Sequence, residues 1–149
     1  MRRVVKFTIS ILLAVSAGLS MAYADDDISV ILNGEKVVFN DAQPMIYEER
    51  TLIPVRAVFE KGGWNVDWDS ENKMAIIGND KKVVFITIND SSMQLYDIDT
   101  DTQEVISLDV SAMIIDGSTM IPLRAVCEAM GSSVEWEGST RTVYIDMEG

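Results

Sequence analysis

The chain has 149 residues, of which 48% are hydrophobic and only three are proline. This length and composition predict one folded domain or two small linked ones, and they exclude a disordered tail. The formal net charge of -12, from 24 acidic and 12 basic residues, argues against a nucleic-acid binder, which needs a basic face. There is no histidine, so histidine-based catalytic triads and imidazole-ligated copper or zinc are excluded.

Residues 1–24 have the pattern of a secretory signal peptide. Three basic residues precede an apolar run over residues 7–19, and small residues at alternate positions end at Ala24. Because the run is short for a membrane-spanning helix, we predict cleavage after Ala24 and a mature chain, residues 25–149, with no membrane span. The single Cys127, predicted to be a buried and inert thiol, cannot form an internal disulfide, which fits bacterial export.

The mature chain contains two similar segments. Residues 51–77 and 119–145 align without a gap and are identical at eleven of 27 positions, including the rare types proline and tryptophan. We therefore interpret the mature chain as a duplicated domain, with copy one at about 28–88 and copy two at about 92–146. The distinctive shared positions are Pro54, Arg56, Gly63 and Trp68, matched by Pro122, Arg124, Gly131 and Trp136.

Each copy is predicted to begin with β-strands. In copy one, residues 29–32 and 36–39 flank Asn33-Gly34, a strong signal for a two-residue hairpin turn because both positions tolerate positive φ. A short strand pair around residues 48–50 follows, and residues 116–118 match its turn in copy two.

A helix of about two turns is predicted to follow in each copy. Pro54 and Pro122 suit the first helical position, which needs no N–H donor, and Gly63 and Gly131 suit a left-handed stop. Alternating strands then follow, and further strands are predicted at 74–77, 82–88 and 142–145. The predicted fold class is therefore α+β, a mostly antiparallel β-sheet with two short helices, internally duplicated.

The Pro-x-Arg-Ala-Val and Val-x-Trp motifs occur in both copies, and with the hairpin that precedes them they resemble the copper amine oxidase N-terminal domain-like family, also called the stalk domain. The resemblance covers nearly the whole mature chain. It implies an accessory antiparallel sheet packed on a helix, without the enzyme's chemistry, as found in exported proteins of Gram-positive bacteria. Copper amine oxidases bind copper through three histidines and form a quinone from a tyrosine in an Asn-Tyr-Asp/Glu setting, and this chain has neither feature. We therefore expect no cofactor and no enzymatic activity.

Arg56 and Arg124 lie in the first turn of the predicted helices, where a cation opposes the helix dipole by ~0.3–1 kcal/mol. Glu60 and Glu128 follow four residues later, but the order Arg before Glu contributes only ~0.2–0.5 kcal/mol. We expect each guanidinium to turn toward carbonyls or a carboxylate of the neighbouring strands, which is a structural role.

The three indoles are predicted to play different roles. Trp68 and Trp136 share the buried parity of their strands, so we expect both in the core, where each would remove ~150–250 Å² from water. Trp64 has Ser132 as its counterpart. An unrepeated aromatic is a candidate platform for a sugar or a partner, although its parity also fits the core.

Asp97, Asp99 and Asp101 have the opening spacing of a calcium loop. The sixth position is Thr102, where such a loop needs glycine, and the twelfth is Leu108, where it needs a bidentate acid. The segment is therefore a weak calcium candidate, and the alternative is a solvated hairpin tip.

Four carboxylates are the nearest candidates for a hydrolase, namely Asp67, Asp69, Glu135 and Glu137. They alternate onto the exposed face of their strands, so we expect them to serve solvation rather than catalysis.

Together these features predict an exported, non-catalytic binding or architectural module of the cell envelope, and the resemblance implies a secreted protein of a Gram-positive bacterium. The expected partner is a cell-wall glycan or an envelope protein. Two alternatives remain open: wall polysaccharide or peptide binding through the Trp64 region, and calcium-assisted adhesion through Asp97, Asp99 and Asp101.

Overall fold

The computed structural model describes residues 27–147, and the predicted signal peptide lies outside the described residues. Within that part of the chain, no helix is long and apolar enough to cross a membrane. The described residues form three β-sheets and two short helices. This architecture confirms the predicted α+β class with mostly antiparallel sheet.

In chain order the elements are β1 (Ser29–Leu32), β2 (Glu35–Lys36), β3 (Met45–Tyr47), β4 (Arg50–Pro54), α1 (Val55–Phe59), β5 (Asn65–Asp69), β6 (Met74–Gly78), β7 (Lys82–Thr87), β8 (Ser92–Asp97), β9 (Thr102–Ser107), β10 (Met113–Ile115), β11 (Ser118–Pro122), α2 (Leu123–Ala129), β12 (Ser133–Glu137) and β13 (Thr142–Asp146). The order β3-β4-α1-β5-β6 thus recurs as β10-β11-α2-β12-β13.

Two of the three sheets combine strands that are distant in sequence, and the third is formed by consecutive strands. The terminal sheet has the order β12-β13-β1-β2, and its β1 runs parallel to β13, with Ser29 opposite Thr142. The central sheet has the order β10-β11-β4-β3, and the large sheet has the order β5-β6-β7-β8-β9. The first described strand is therefore hydrogen-bonded to the last, and the two strands that precede the helices, β4 and β11, pair in the central sheet.

The pairing of β4 with β11 sets the positions of the two helices. The two strands are antiparallel, with Ile53 opposite Ile121 and Leu52 opposite Pro122. The equivalent residues Ile53 and Ile121 thus lie opposite one another, so the pairing of β4 with β11 is symmetric. Each helix follows directly from one of these two strands, so α1 contacts β11 and α2 contacts β4.

The main core lies between the helices and the inner faces of the sheets. Phe59, Ile53, Ile77 and Ile121 are fully buried in it. Removing a side chain of this size from water contributes ~1.5–3 kcal/mol, so helices of only five and seven residues are held by burial rather than by their own hydrogen bonds.

Local turn predictions agree closely with the structure. Asn33 and Gly34 both have positive φ, at 49° and 86°, as a two-residue hairpin turn requires. Gly63 and Gly131 adopt the left-handed conformation that ends each helix. The second strand of the first hairpin is shorter than predicted, because β2 ends at Lys36.

The two prolines lie one position earlier than predicted. Pro54 and Pro122 have extended backbone and cap the helices, which begin at Val55 and Leu123. The reason is the central sheet, since Pro54 still pairs with a β11 residue and so remains part of β4.

Candidate binding grooves

Two open grooves flank the central sheet. The Trp136 groove has a volume of about 480 Å³ and is lined by Ile46, Arg50, Asp109, Pro122, Arg124 and Trp136, among others. The Trp68 groove has a volume of about 570 Å³ and is lined by Val38, Asp41, Pro54, Arg56, Trp68 and Ile114, among others. Both volumes fall in the ~300–1,000 Å³ range of small-molecule sites.

Each groove is built from both similar segments. The Trp136 groove takes its arginine and indole from α2 and β12, but Ile46 and Arg50 come from the β3-β4 hairpin. The Trp68 groove has the reciprocal composition, with Ile114 supplied by β10. This exchange follows from the pairing of β4 with β11, which brings each hairpin beside the start of the other segment's helix.

The prediction that Trp68 and Trp136 belong to the core is wrong. Their exposed fractions are 36% and 39%, whereas Val66 and Val134, two residues earlier on the same faces, are buried. The strand parity is correct, but the short helices cover only the valine. Beyond it, each indole lies beside the first turn of the helix and lines a groove.

The predicted turning of the two arginines is confirmed. Arg124 Nη1 donates to the Val134 carbonyl at 2.8 Å, and Arg56 Nη1 donates to the Val66 carbonyl at 3.0 Å. In each case the carbonyl belongs to the neighbouring strand, two residues before the indole. The guanidinium therefore fixes the strand against the helix.

The same guanidiniums also face the grooves. Arg56 and Arg124 pair with Glu60 and Glu128 at 2.6 and 3.4 Å, and every one of these side chains is about half exposed or more. All of these bonds use Nη1, so Nε and Nη2 make no hydrogen bond with any described residue. The arginines thus combine a structural bond with donors that remain open to a ligand.

The two grooves differ in their charged groups. In the Trp136 groove, Arg50 donates to Asp109 Oδ2 from Nη2 at 2.6 Å and from Nε at 3.1 Å. The guanidinium of Arg141 lies 5.8 Å from the centre of the Trp136 ring, within cation–π range. The Trp68 groove has fewer charged residues in its lining, Asp41 and Arg56, and its exposed apolar side chains include Val38, which is 71% exposed, and Ile114.

Trp64 is not a ligand platform. Its exposed fraction is 4%, and its ring stacks on Phe59 with centroids 5.4 Å apart and an interplanar angle of 18°. In the second segment the same two positions are held by Cys127 and Ser132, so a stacked aromatic pair is replaced by two small side chains. A side chain buried to this extent offers no face on which a sugar could stack.

The calcium candidate is a hydrogen-bonded hairpin tip between β8 and β9. Asp97 accepts the Thr100 N–H at 3.1 Å, and this bond holds the pKa of the Asp97 carboxyl below its usual value. Asp101 accepts the Tyr96 hydroxyl at 2.6 Å, which raises the pKa of that phenol. Over residues 27–147 no three potential ligands, Asp99 included, gather around a common point.

The carboxylates and the thiol do not have the properties that catalysis needs. Asp67, Glu135 and Glu137 are exposed. Asp69 accepts hydrogen bonds from the side chain and backbone of Asn72, which lower its pKa, whereas a general acid needs a raised one. Burial raises the pKa of the Cys127 thiol to about 12, so the reactive thiolate is suppressed.

Sequence reasoning missed the residues that each groove receives from the opposite segment. Ile46 and Ile114 occupy equivalent positions, and the recurrence of isoleucine there was the available signal in the sequence. The Arg50–Asp109 pair joins residues 59 positions apart, and no local pattern points to it.

The family model described as copper amine oxidase N-terminal domain matches residues 31–145. Neither the curated proteins nor the solved structures include a match to the chain. The N-terminal domain of copper amine oxidases is a non-catalytic accessory domain. Since the match covers most of its length, this chain belongs to the copper amine oxidase N-terminal domain family.

Proposed function

We propose that the protein is an exported, non-catalytic binding module of a bacterial cell envelope, and that it holds its ligand in the Trp136 and Trp68 grooves. The accessory character of the family supports a role without chemistry. The basic residues and apolar run at the start of the chain support export. The expected partner is a cell-wall glycan or an envelope protein of a Gram-positive bacterium.

One observation carries the binding role. Trp68 and Trp136 are large aromatic side chains that a ligand can reach, and each lies in a groove beside an arginine. A fully exposed indole would leave a large apolar surface in water, and a fully buried one would only stabilise the core. An indole that is about one-third exposed, with polar donors beside it, is the arrangement typical of a recognition site.

We further propose that the two segments are copies of one ancestral unit. Their shared order of elements, the reciprocal composition of the grooves and the register of β4 with β11 support this view. Duplication then explains why the same arginine and indole occur twice. A module with two like sites can hold two ligands, or one ligand at two points, which suits an architectural role in a wall.

The test begins with the full chain expressed with a C-terminal tag in a Gram-positive host. We expect the tagged protein in the medium or wall fraction, with an N-terminus that starts at Asp25. The exported protein is then incubated with cell-wall extract, and its retention is compared with that of a Trp68→Ala/Trp136→Ala double variant. We expect the double variant to lose most of its retention.

The matched control is Tyr144→Ala, which removes an exposed aromatic from β13 that lines neither groove. Its retention should equal that of the wild type. Equal retention of all three proteins would contradict binding through the grooves, and an intact leader on protein confined to the cytoplasm would contradict export.

A further inference from the structure

We infer that both grooves bind an uncharged polysaccharide, with a pyranose ring stacked on the indole and its hydroxyls bonded to the arginine and carboxylates beside it. This inference rests on the proposed binding function and names the ligand class. It places the contact at Trp68 and Trp136, because Trp64 is buried.

Charge selects against ionic ligands. The chain has a formal net charge of -12, so an anionic polymer meets long-range repulsion. The Trp136 groove adds local repulsion, because its lining includes Glu49, Asp109 and Glu128 against Arg50 and Arg124. A cationic ligand would have to approach these two arginines, both of which already have carboxylate partners. The Trp68 groove holds one acid and one base, Asp41 and Arg56, among its lining residues.

Hydroxyl groups suit this mixture of charges. A sugar hydroxyl donates one hydrogen bond and accepts others, so it can bond to a carboxylate and a guanidinium at the same time. In the Trp136 groove such a pair is already assembled, because Arg50 Nη2 and Asp109 Oδ2 lie 2.6 Å apart in its lining. Arg124 also lines this groove and supplies the unused Nε and Nη2 donors. Hydrogen bonds to charged groups are stronger than those between neutral groups, so an uncharged ligand still gains polar affinity here.

The apolar part of the groove suits the face of a sugar ring. The Trp136 indole and the exposed Ile46 side chain contribute surface to the same groove. Trp68 and Ile114 repeat that pair in the Trp68 groove. A pyranose presents C–H groups on its faces and hydroxyls around its rim, so it matches an indole flanked by charged groups.

Two like grooves in one chain favour a repeating ligand. The indole, arginine, proline and isoleucine are the same residue types in both grooves, so both recognise the same chemical unit. A polysaccharide offers that unit many times, and binding at a second groove then benefits from a raised effective concentration. Binding to an immobilised polymer should therefore be tighter than binding to a short oligosaccharide.

The experiment measures binding of the exported wild-type protein to chitohexaose and cellohexaose by isothermal titration calorimetry. The charged comparison ligands are hexagalacturonic acid and hexalysine. We expect binding to at least one uncharged hexasaccharide, with the affinity changing less than about twofold between 0.05 and 0.5 M NaCl, since uncharged ligands are not screened. Trp136→Ala should lower the affinity of its groove about tenfold, and Tyr144→Ala should leave it unchanged.

A second variant keeps the test valid if Trp136→Ala does not fold. Ile46→Ser changes an exposed side chain of the same groove and should weaken binding about threefold at an unchanged melting temperature. On an immobilised polymer, either single-groove variant should lose more affinity than it does for the hexasaccharide.

The outcomes separate the ligand class from the proposed function. If cell-wall extract retains the protein through its indoles but neither uncharged hexasaccharide binds, the ligand class is overturned and the binding function stands. Tighter binding of hexagalacturonic acid or hexalysine overturns the ligand class in the same way. If the extract does not retain the protein and no hexasaccharide binds, both proposals fail.

Discussion

Replacing Arg124 with methionine tests the dual role of the arginine most directly. Methionine keeps most of the apolar stem but removes the guanidinium, so the Val134 carbonyl loses its 2.8 Å bond and Glu128 loses its partner. The predicted result is a less stable protein whose β12 is no longer tied to α2.

The two lost interactions differ in size. A hydrogen bond from a charged donor to a partly buried carbonyl contributes ~1.5–3 kcal/mol. The Glu128 pair is 3.4 Å long and both side chains are more than half exposed, so solvent limits it to ~0.3–0.5 kcal/mol. Removing a cation from the first helical turn returns ~0.3–1 kcal/mol. The net loss is therefore about 1–3 kcal/mol, which lowers Tm by ~4–12 °C in a domain of this size.

The assay is urea unfolding followed by tryptophan fluorescence, together with calorimetric Tm. Glu128→Gln is the matched control, because it weakens the ion pair and leaves the carbonyl bond in place, so it should cost at most ~0.5 kcal/mol. Arg124→Lys should fall between the two, since an ammonium keeps the charge but lacks the fork of donors. The reasoning is refuted if Arg124→Lys melts like the wild type, or if Glu128→Gln costs as much as Arg124→Met.

Three further predictions concern the turns and the thiol. Glu49→Gly should stabilise the protein by ~1 kcal/mol in urea unfolding, because Glu49 has a φ of 67°. Gly117→Ala at the equivalent turn should destabilise the protein by a similar amount, since the φ of Gly117 is 78°. Equal effects of the same sign would contradict this explanation. Asn33→Ala should destabilise the protein by ~1–2 kcal/mol, because it removes the 2.8 Å hydrogen bond from the Met147 N–H and leaves a positive φ on alanine. Asn33→Gly loses the same hydrogen bond but tolerates the positive φ, so it should destabilise the protein less. The Cys127 thiol, with a pKa of about 12, should not react with an aromatic disulfide reagent at pH 8 until urea unfolds the chain, and rapid labelling of the native protein would show that the thiol is accessible.

Features decided by neighbouring residues could be predicted from the sequence. The turn at Asn33-Gly34 and the helix ends at Gly63 and Gly131 depend on which residues tolerate positive φ, and all of these positions have it. The direction of the two arginines also followed from a local conflict, that of a cation with the helix dipole. Such features need no knowledge of what lies across the fold.

Features decided by distant strands could not be predicted in this way. The parallel pairing of β1 with β13 joins Ser29 to Thr142, and no local pattern selects that partner. The grooves depend on the pairing of β4 with β11. The residues that each groove receives from the other segment therefore could not be predicted from either segment alone.

The indoles show where a correct local rule gives a wrong conclusion. Parity placed Trp68 and Trp136 on the inner face of their strands, and they do lie on the same side as Val66 and Val134. Burial, however, also depends on whether another element covers that position. Helices of five and seven residues are too short to cover both the valine and the indole, so the second position opens to solvent.

The arginine and the indole therefore act together, and this coupling distinguishes a binding role from a purely structural one. In each segment the guanidinium holds the strand at the carbonyl two residues before the indole, so it sets the position of the ring that lines the groove. If the grooves bind a ligand, Arg124→Met should weaken binding by more than its lost donors explain, because the ring is displaced as well. If the motif serves only the fold, Trp136→Phe and Arg124→Met should change Tm without changing retention by cell-wall material. Measuring Tm and retention on the same variants separates these two cases.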